Sequence, residues 1–412
     1  MRIWHYCLLI LLVAIEGYFI VRYTASTLEN NNWTGPYFSA AANLRAGGDF
    51  MIDEEEVIKF KTLPIFDQYK YHFNKSSNLE HYNHNPVGFA YIIRFATFVF
   101  PFAGDINALI LLQVITHLLL CFLLLNTIKT KQFRILFILL YVINPIIIKF
   151  VVLDYYYFWQ CIPGFLIVYL LNASVKNVKL VYLLGIILIF ATLSRITILF
   201  ISLLTLGLLF KYIPIKHAVA LTTLFAIGFI TINKPTEKNI WHTIYVGIAA
   251  YPNQHVKTLS DEEGYALYEK VTGVELEARI GYNYYDPEVI NAYQTITKDA
   301  VVEIANENPW LFIRNAILNS FQSFSPGYVT LNFVWLNMLL AFTGFIFFIL
   351  LITSKQYLIL ISIALYAGSF CLYYPPIQAY LFGAYVLLVA GLYNILIHYK
   401  LFAPKTQVKQ VN

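Results

Sequence analysis

Two stretches ahead of an apolar run carry the residues that could move a proton. In "EHYNHNPVGFAY" (80–91), Glu80, His81 and His84 precede Pro86 and a run of aromatic and aliphatic residues. A carboxylate at the edge of such a run is partly desolvated, which raises its pKa and suits it to act as a base. The same residues also suit a solvated loop. Three scattered side chains could seat a metal, but they lack a metal-site signature. Earlier, "WTGPYFSAAANLRAGGDF" (33–50) reads as a short helix stopped by Gly47 and Gly48 ahead of Asp49. Its plainest reading is a capped surface helix with Asp49 as a turn residue.

Two further positions place charge next to apolar runs. Asp154 in "KFVVLDYYYFWQ" (149–160) leads an aromatic cluster. Such a cluster is first an interfacial belt, yet an acid at that depth faces protein or a cavity rather than lipid. Arg195 in "TLSRITILF" (192–200) can clamp a phosphate with two parallel hydrogen bonds or snorkel to the interface. Glu16 is another acid within an apolar run, with no partner evident. Later, "WHTIYVGIAAYPNQ" (241–254) combines His242, Tyr245, Tyr251 and Asn253, side chains that suit sugar binding by stacking and hydrogen bonding.

The elements that must hold these residues follow from composition. The 412-residue chain is 59% apolar and 12% charged, where soluble domains carry about a quarter charged residues. Runs of about 20 apolar residues, enough to cross a bilayer, recur along most of it. The expectation is an all-α polytopic membrane protein with about ten (ten to twelve) transmembrane helices. Spans are expected near 3–22, 107–127, 133–150, 157–172, 179–194, 195–210, 217–233, 329–352, 357–373 and 377–398, with 87–100 and 309–325 doubtful. The first reads as a retained helix, because it lacks a cleavage site and is long for a signal peptide. The net charge of +5 is dispersed between apolar runs and forms no nucleic-acid patch. Cys7, Cys121, Cys161 and Cys371 all fall inside apolar runs, as packing residues do.

Loop charge sets the topology. The connectors at 129–134, 175–179, 211–216 and 354–355, with the tail after Tyr399, hold eleven Lys/Arg and no acid. The positive-inside rule puts them, and both termini, in the cytoplasm. Segment 234–308 has twelve acids against six bases, and 23–85 is also acidic; both then fall outside. This parity requires that 87–100 does not cross. If both doubtful stretches cross, three basic connectors move outside and the acidic segment moves inside.

Length agrees. Fourteen residues separate Pro86 from Pro101, roughly 21 Å of helix against a hydrocarbon core of about 30 Å. Arg94 in the middle would be costly against lipid. The stretch is therefore expected as an interfacial or re-entrant helix of the first outer loop, a short tilted span being the plainer alternative. Three parts result: 1–233, a transmembrane module with outer loop 23–106; 234–328, an outer helical segment; and 329–412, the last spans and a cytoplasmic tail. No inverted repeat of the transporter kind is evident.

Together these stretches resemble the GT-C class of membrane glycosyltransferases. The likeness is to the protein O-mannosyltransferase and aminoarabinose transferase branch and to bacterial relatives. In that family the first outer loop carries an acid, a few residues, Tyr, then A-x-x-L-x-x-G and G-D-W. Here "YFSAAANLRAGGDF" matches from Tyr37 through Asp49, and "NLEHYNHNPVGFAY" is similar to the second element, an acid before a membrane-lying helix. "VVLDYYYF" and "LSRITILF" are similar to the third-helix outlet and the basic helix-starting motif. "WHTIYVGIAAYPNQ" followed by "DEEGY" looks like a segment of bacterial relatives, and "YPPIQAYLFG" faintly resembles the late outer turn. One departure is serious. Where the family places its acid, this chain reads "NNWTGP", and neither Thr34 nor Gly35 is a base. Glu29 is the nearest acid upstream and Asp49 downstream. Asn85 replaces the basic residue before the Pro, with His84 adjoining.

The resemblance implies transfer of a sugar from a polyprenyl-phosphate donor to a glycan, lipid or protein acceptor, with inversion, on the outer face of a bacterial inner membrane. Glu80 or Asp49 would be the base, and Arg195 with His84 would hold the phosphate; otherwise the family mechanism does not run here. The membrane-lying helix and the aromatics of Tyr155–Trp159 would flank the lipid chain. No cofactor is expected; a divalent metal, used by some members, is not favoured where so few acids cluster. Two rivals remain. An O-antigen-type polymerase or ligase would use arginines and a histidine late in the chain, where Arg279, Arg314, His242 and His255 stand. A flippase or transporter would depend on Glu16.

Overall fold

Backbone hydrogen bonds cannot stay open in hydrocarbon, so a chain this apolar must satisfy them locally. The computed structural model does so with helices almost throughout. It describes residues 34–75, 87–173, 178–232, 239–276, 286–325 and 332–402, with residues 14, 15, 17, 18 and 79 and the backbone of 81 and 82. Glu16, Glu29, Glu80, His84 and Arg279, nearly all of the expected first span, and the tail after Phe402 lie outside the described residues. So does Cys7; Cys121, Cys161 and Cys371 are buried.

Helix α1 (Thr34–Arg45) is buried from Thr34 through Asn43, which corrects the reading of a surface helix. Its small residues let neighbours close on every side, so no solvated face remains. It ends as expected, with Gly47 in the left-handed region at φ 83°. Along α1, Ser39 Oγ accepts from the Asp53 amide (3.1 Å) and Asn43 Nδ2 donates to the Met51 carbonyl (2.9 Å). These bonds seat β1 (Met51–Ile52), which pairs antiparallel with β2 (His81–Tyr82), and α2 (Glu54–Thr62), capped by Asp53.

The doubtful stretch at 87–100 is helix α3 (Val87–Val99), 13 residues long and short of the about 20 needed to cross. It lies against α1, α4 (Asp105–Thr127) and α8 (Val178–Ser194). Gly88 presses on the end of α8. A Cβ built at Gly88 would sit 2.0 Å from the Leu193 carbonyl oxygen.

The expected span at 133–150 is broken. Helix α5 (Lys131–Phe137) runs into a π-helical turn (Ile138–Val142) and is bent by 59° from α6 (Pro145–Val151). Pro145 has no N–H to continue the ladder, and the Asn144 side chain caps the new helix through the Ile146 amide at 3.0 Å. Hydropathy counts apolar residues without sensing direction, so this bend was invisible to it. Next, α7 (Cys161–Asn172) is buried from Cys161 through Leu170, as a helix apolar on all sides must be. It packs against α4, α8, α9 (Leu199–Leu209) and α17 (Tyr385–His398).

Helix α10 is Ile215–Ile232. The later segment supplies α11 (Ile240–Gly247), α12 (Asp261–Thr272), α13 (Pro287–Glu307) and α14 (Pro309–Gln322), joined by non-helical stretches such as 251–260. Helix α14 lies along α15 (Val334–Thr353), followed by α16 (Tyr357–Ala367) and a short turn of helix (Gln378–Leu381) leading into α17. Among the described residues four helices are long and apolar enough to cross a membrane: α4, α10, α15 and the run Gln378–His398. The bent pair α5–α6 makes a fifth. The chain is a helical membrane protein by these elements.

The Gly88 contact is backbone against Cβ, which no rotamer can relieve. Gly88→Val should lower stability by about 1–3 kcal/mol or more, read as a lower thermal midpoint in detergent. Gly207→Ala, in open space on α9, should leave the midpoint unchanged or raised. Equal midpoints for both variants would show that α3 does not press on α8.

Candidate functional site

Arg195 stands where α8 ends, its side chain 5% exposed. Its Nε donates to Thr197 Oγ1 at 2.9 Å, while Nη1 is buried with no hydrogen-bond partner among the described residues. No described carboxylate forms an ion pair with it. Instead the guanidinium carbon lies 4.5 Å from the ring centre of Tyr380, 4.7 Å from Tyr157 and 4.9 Å from Tyr156. Three ring faces contribute roughly 0.5–2 kcal/mol each, against several kcal/mol for burying an ion. Arginine cannot shed its proton to escape. Tyr156, Tyr157 and Tyr380 each keep part of their surface exposed.

Three buried side chains hold this clamp. Tyr156 and Tyr157 belong to the helical turn Tyr156–Gln160, whose last residue reaches across the fold. Gln160 Nε2 donates to the Ala379 carbonyl at 3.1 Å, one residue before Tyr380. Tyr366, on α16, donates to the Gln160 carbonyl (2.7 Å) and accepts from the Gly164 amide (2.9 Å). On the other side, Gln113 of α4 donates to the carbonyls of Val151 (2.9 Å) and Leu153 (2.8 Å). It thereby secures the irregular backbone leaving α6, immediately before Asp154.

Asp154 and Thr34 face each other across the fold. Thr34 Oγ1 donates to Asp154 Oδ2 at 2.5 Å, and both residues are 1% exposed. An aromatic ladder joins this pair to the clamp. Tyr37 of α1 meets Phe89 of α3 (5.1 Å between ring centres) and Tyr155 (6.0 Å). Tyr155 packs on Tyr156 at 4.0 Å, and Phe89 also meets Tyr156. The stretches around 34–37, 87–89, 154–157, 195 and 380 thus converge. Position 34, set aside from sequence because threonine is no base, has a carboxylate bonded to it from elsewhere in the chain.

The other marked residues fare differently. Asp49 is exposed in the turn after α1. Glu80 and His84 lie outside the described residues. Tyr245 approaches the clamp, sharing an apolar cluster with Tyr374 and Tyr380. Asn253 is occupied within its own loop: Nδ2 donates to the carbonyls of Ile248 and Tyr251, and Oδ1 accepts from the amides of His255 and Val256. His242 bridges helices, with Nδ1 2.5 Å from Tyr293 Oη and Nε2 3.1 Å from Asp261 Oδ1. Partial burial of Asp261 favours its neutral acid, but the hydrogen bond and charge of His242 outweigh this and hold the carboxyl below its usual range. Asn253 and His242 therefore have architectural contacts that residue type alone could not reveal. Among the described residues no three His, Cys, Asp or Glu side chains group to hold a metal.

Two outcomes test this geometry. Tyr366→Phe leaves the Gly164 amide and Gln160 carbonyl without a partner, a loss of about 1–3 kcal/mol, visible as a lower thermal midpoint in detergent. A carboxyl with a depressed folded pKa stabilises above its unfolded value of about 3.9, and that contribution disappears as pH falls through the folded value. Asp261→Asn should therefore lower stability at neutral pH and close the gap to the parent protein below about pH 4. Protease resistance against pH reads both; parallel curves would show that Asp261 contributes no pH-linked stability.

No family model, no curated protein and no solved structure matches the chain.

Proposed function

We propose that this protein transfers a sugar from a polyprenyl-phosphate donor to an acceptor hydroxyl on a glycan, lipid or protein. The observation carrying the proposal is the buried Arg195 guanidinium, without a described counter-ion, linked through the Tyr156 and Tyr155 rings to the segment that holds the Thr34–Asp154 pair. The acceptor oxygen attacks the anomeric carbon as the bond from that carbon to the phosphate oxygen breaks. The electron pair leaves with polyprenyl phosphate, and the configuration inverts. Arg195 meets the negative charge growing on the departing phosphate, in a setting that needs no reorganisation. Asp154 takes the acceptor proton, its second role being to hold Thr34 against the acceptor. Asp49 and Glu80 are the alternative bases, and His84 a second phosphate ligand.

The chain is read as ten spans with the site on the outer face of a bacterial inner membrane, which loop charge supports. The polymerase reading draws less support. Arg314 donates to the Pro252 carbonyl and Asn315 Oδ1, and His255 lies 3.9 Å from Glu307. Arg314 is thus engaged with its own loop and helix.

The test is a comparison of cell-envelope glycans by mass with and without the gene, followed by transfer assays on the purified protein with polyprenyl-phosphate sugars. Arg195→Gln should lower kcat by about 10²–10³-fold at normal expression, and Arg195→Lys less. Asp154→Asn should lower it by about 10²–10⁴-fold, with Asp49→Asn and Glu80→Gln assayed in parallel. Full activity in Arg195→Gln would sink the reading. Loss in Glu80→Gln with Asp154→Asn active would move the base to Glu80.

A further inference from the structure

Helix α3 has two faces, and only one belongs to the site above. Phe89, Ile93 and Ala96 are buried, whereas Arg94, Phe95, Phe98 and Val99 are exposed, as is Phe102 just beyond the helix. Beneath the exposed face is an open cleft of about 290 Å³ lined by Arg45, His72, Arg94, Phe98, Pro101 and Asp105. Its charge is unbalanced. Asp105 is answered by Arg45, Nη1 at 3.3 Å, and by His72 Nδ1 at 3.3 Å. Arg45 Nη2 donates to the Phe73 carbonyl at 2.7 Å, which fixes its plane. The Arg94 side chain has no hydrogen bond or ion pair among the described residues, so the cleft keeps one uncompensated positive charge beside an immobilised guanidinium and an imidazole.

We propose that this cleft binds the phosphate headgroup of an anionic membrane lipid. Three observations together favour a lipid over free phosphate. The volume lies at the lower limit of ligand sites, about 300–1,000 Å³, and suits a headgroup rather than a whole lipid. Arg94 and Phe98 are four residues apart and share one helix face. Phe98 and Phe102, each 80% exposed, carry the apolar surface outward from the cleft, with Phe95 56% exposed alongside. A short helix presenting an arginine among exposed rings is built to lie at the boundary between headgroups and acyl chains. The headgroup occupies the cleft while the acyl chains run over Phe98 and Phe102. This inference does not depend on glycosyl transfer and survives its failure.

The test is native mass spectrometry of the purified full-length protein, taken from nanodiscs of mixed phosphatidylglycerol and phosphatidylcholine. Phosphatidylglycerol should be retained preferentially. Arg94→Gln should cut that preference about fivefold or more, and Arg94→Lys should preserve most of it. Phe98→Ala with Phe102→Ala should weaken lipid retention. Arg94 is exposed and unpartnered, so its variants test binding without disturbing folding; an unchanged thermal midpoint verifies this. Equal retention of both lipids, or an unchanged preference in Arg94→Gln, overturns the proposal. Displacement of phosphatidylglycerol by millimolar inorganic phosphate overturns the lipid assignment and leaves a free-phosphate site.

Discussion

A guanidinium removed from water without an ionic partner is the constraint around which the described structure is arranged. Arg195 cannot be neutralised, and a buried ion is tolerated only where the surroundings compensate. Here compensation comes from π faces drawn from distant parts of the chain. Tyr156 and Tyr157 leave the broken span α5–α6, while Tyr380 arrives from the turn before α17. Each needs its own anchor, and the anchors are buried polar side chains: Gln160, Tyr366 and Gln113. The Gly88 contact fixes the end of α8, from which the arginine emerges. What looks like scattered irregularity among apolar helices is one coordinated set of supports.

The same supports explain why the backbone can be irregular at all. A helix interrupted within a bilayer exposes carbonyls that lipid cannot satisfy, and such breaks survive only inside protein. After α6 the free carbonyls of Val151 and Leu153 are met by one amide group, that of Gln113. At the opposite end of α6 the Asn144 side-chain oxygen accepts from the open Ile146 amide. Thr34 and Asp154 are themselves buried, and Tyr37, Phe89 and Tyr155 pack on one another in the adjoining segments.

Much of this was legible in the residues, and what was not has physical causes. Composition declared a helical membrane protein, and the spacing of Pro86 and Pro101 declared α3 too short to cross. Arg195 and Asp154 stood out because charge beside apolar runs is conspicuous. Thr34 did not, since a hydroxyl gains meaning only from the carboxylate 120 residues away that accepts its hydrogen bond. Tyr380 was hidden in "YPPIQAY", which reads as a turn, because the Gln160 bond that aims it is long-range. Conversely, Asn253 and His242 have the side chains of a sugar site, yet the structure engages them in a loop and in helix pairing. Residue type reports what a group can do, and only its partners decide whether it is available.

The Gln113 bonds have an evolutionary corollary. A glutamine facing two carbonyls at the exit from a separate helix has no substitute of equal reach among apolar residues, and any change in the length of the exit after α6 would leave its amide misplaced. Position 113 and the segment 151–153 can therefore drift only in concert. Among divergent sequences that share this architecture they should co-vary as a block, even though Gln113 itself never touches the clamp.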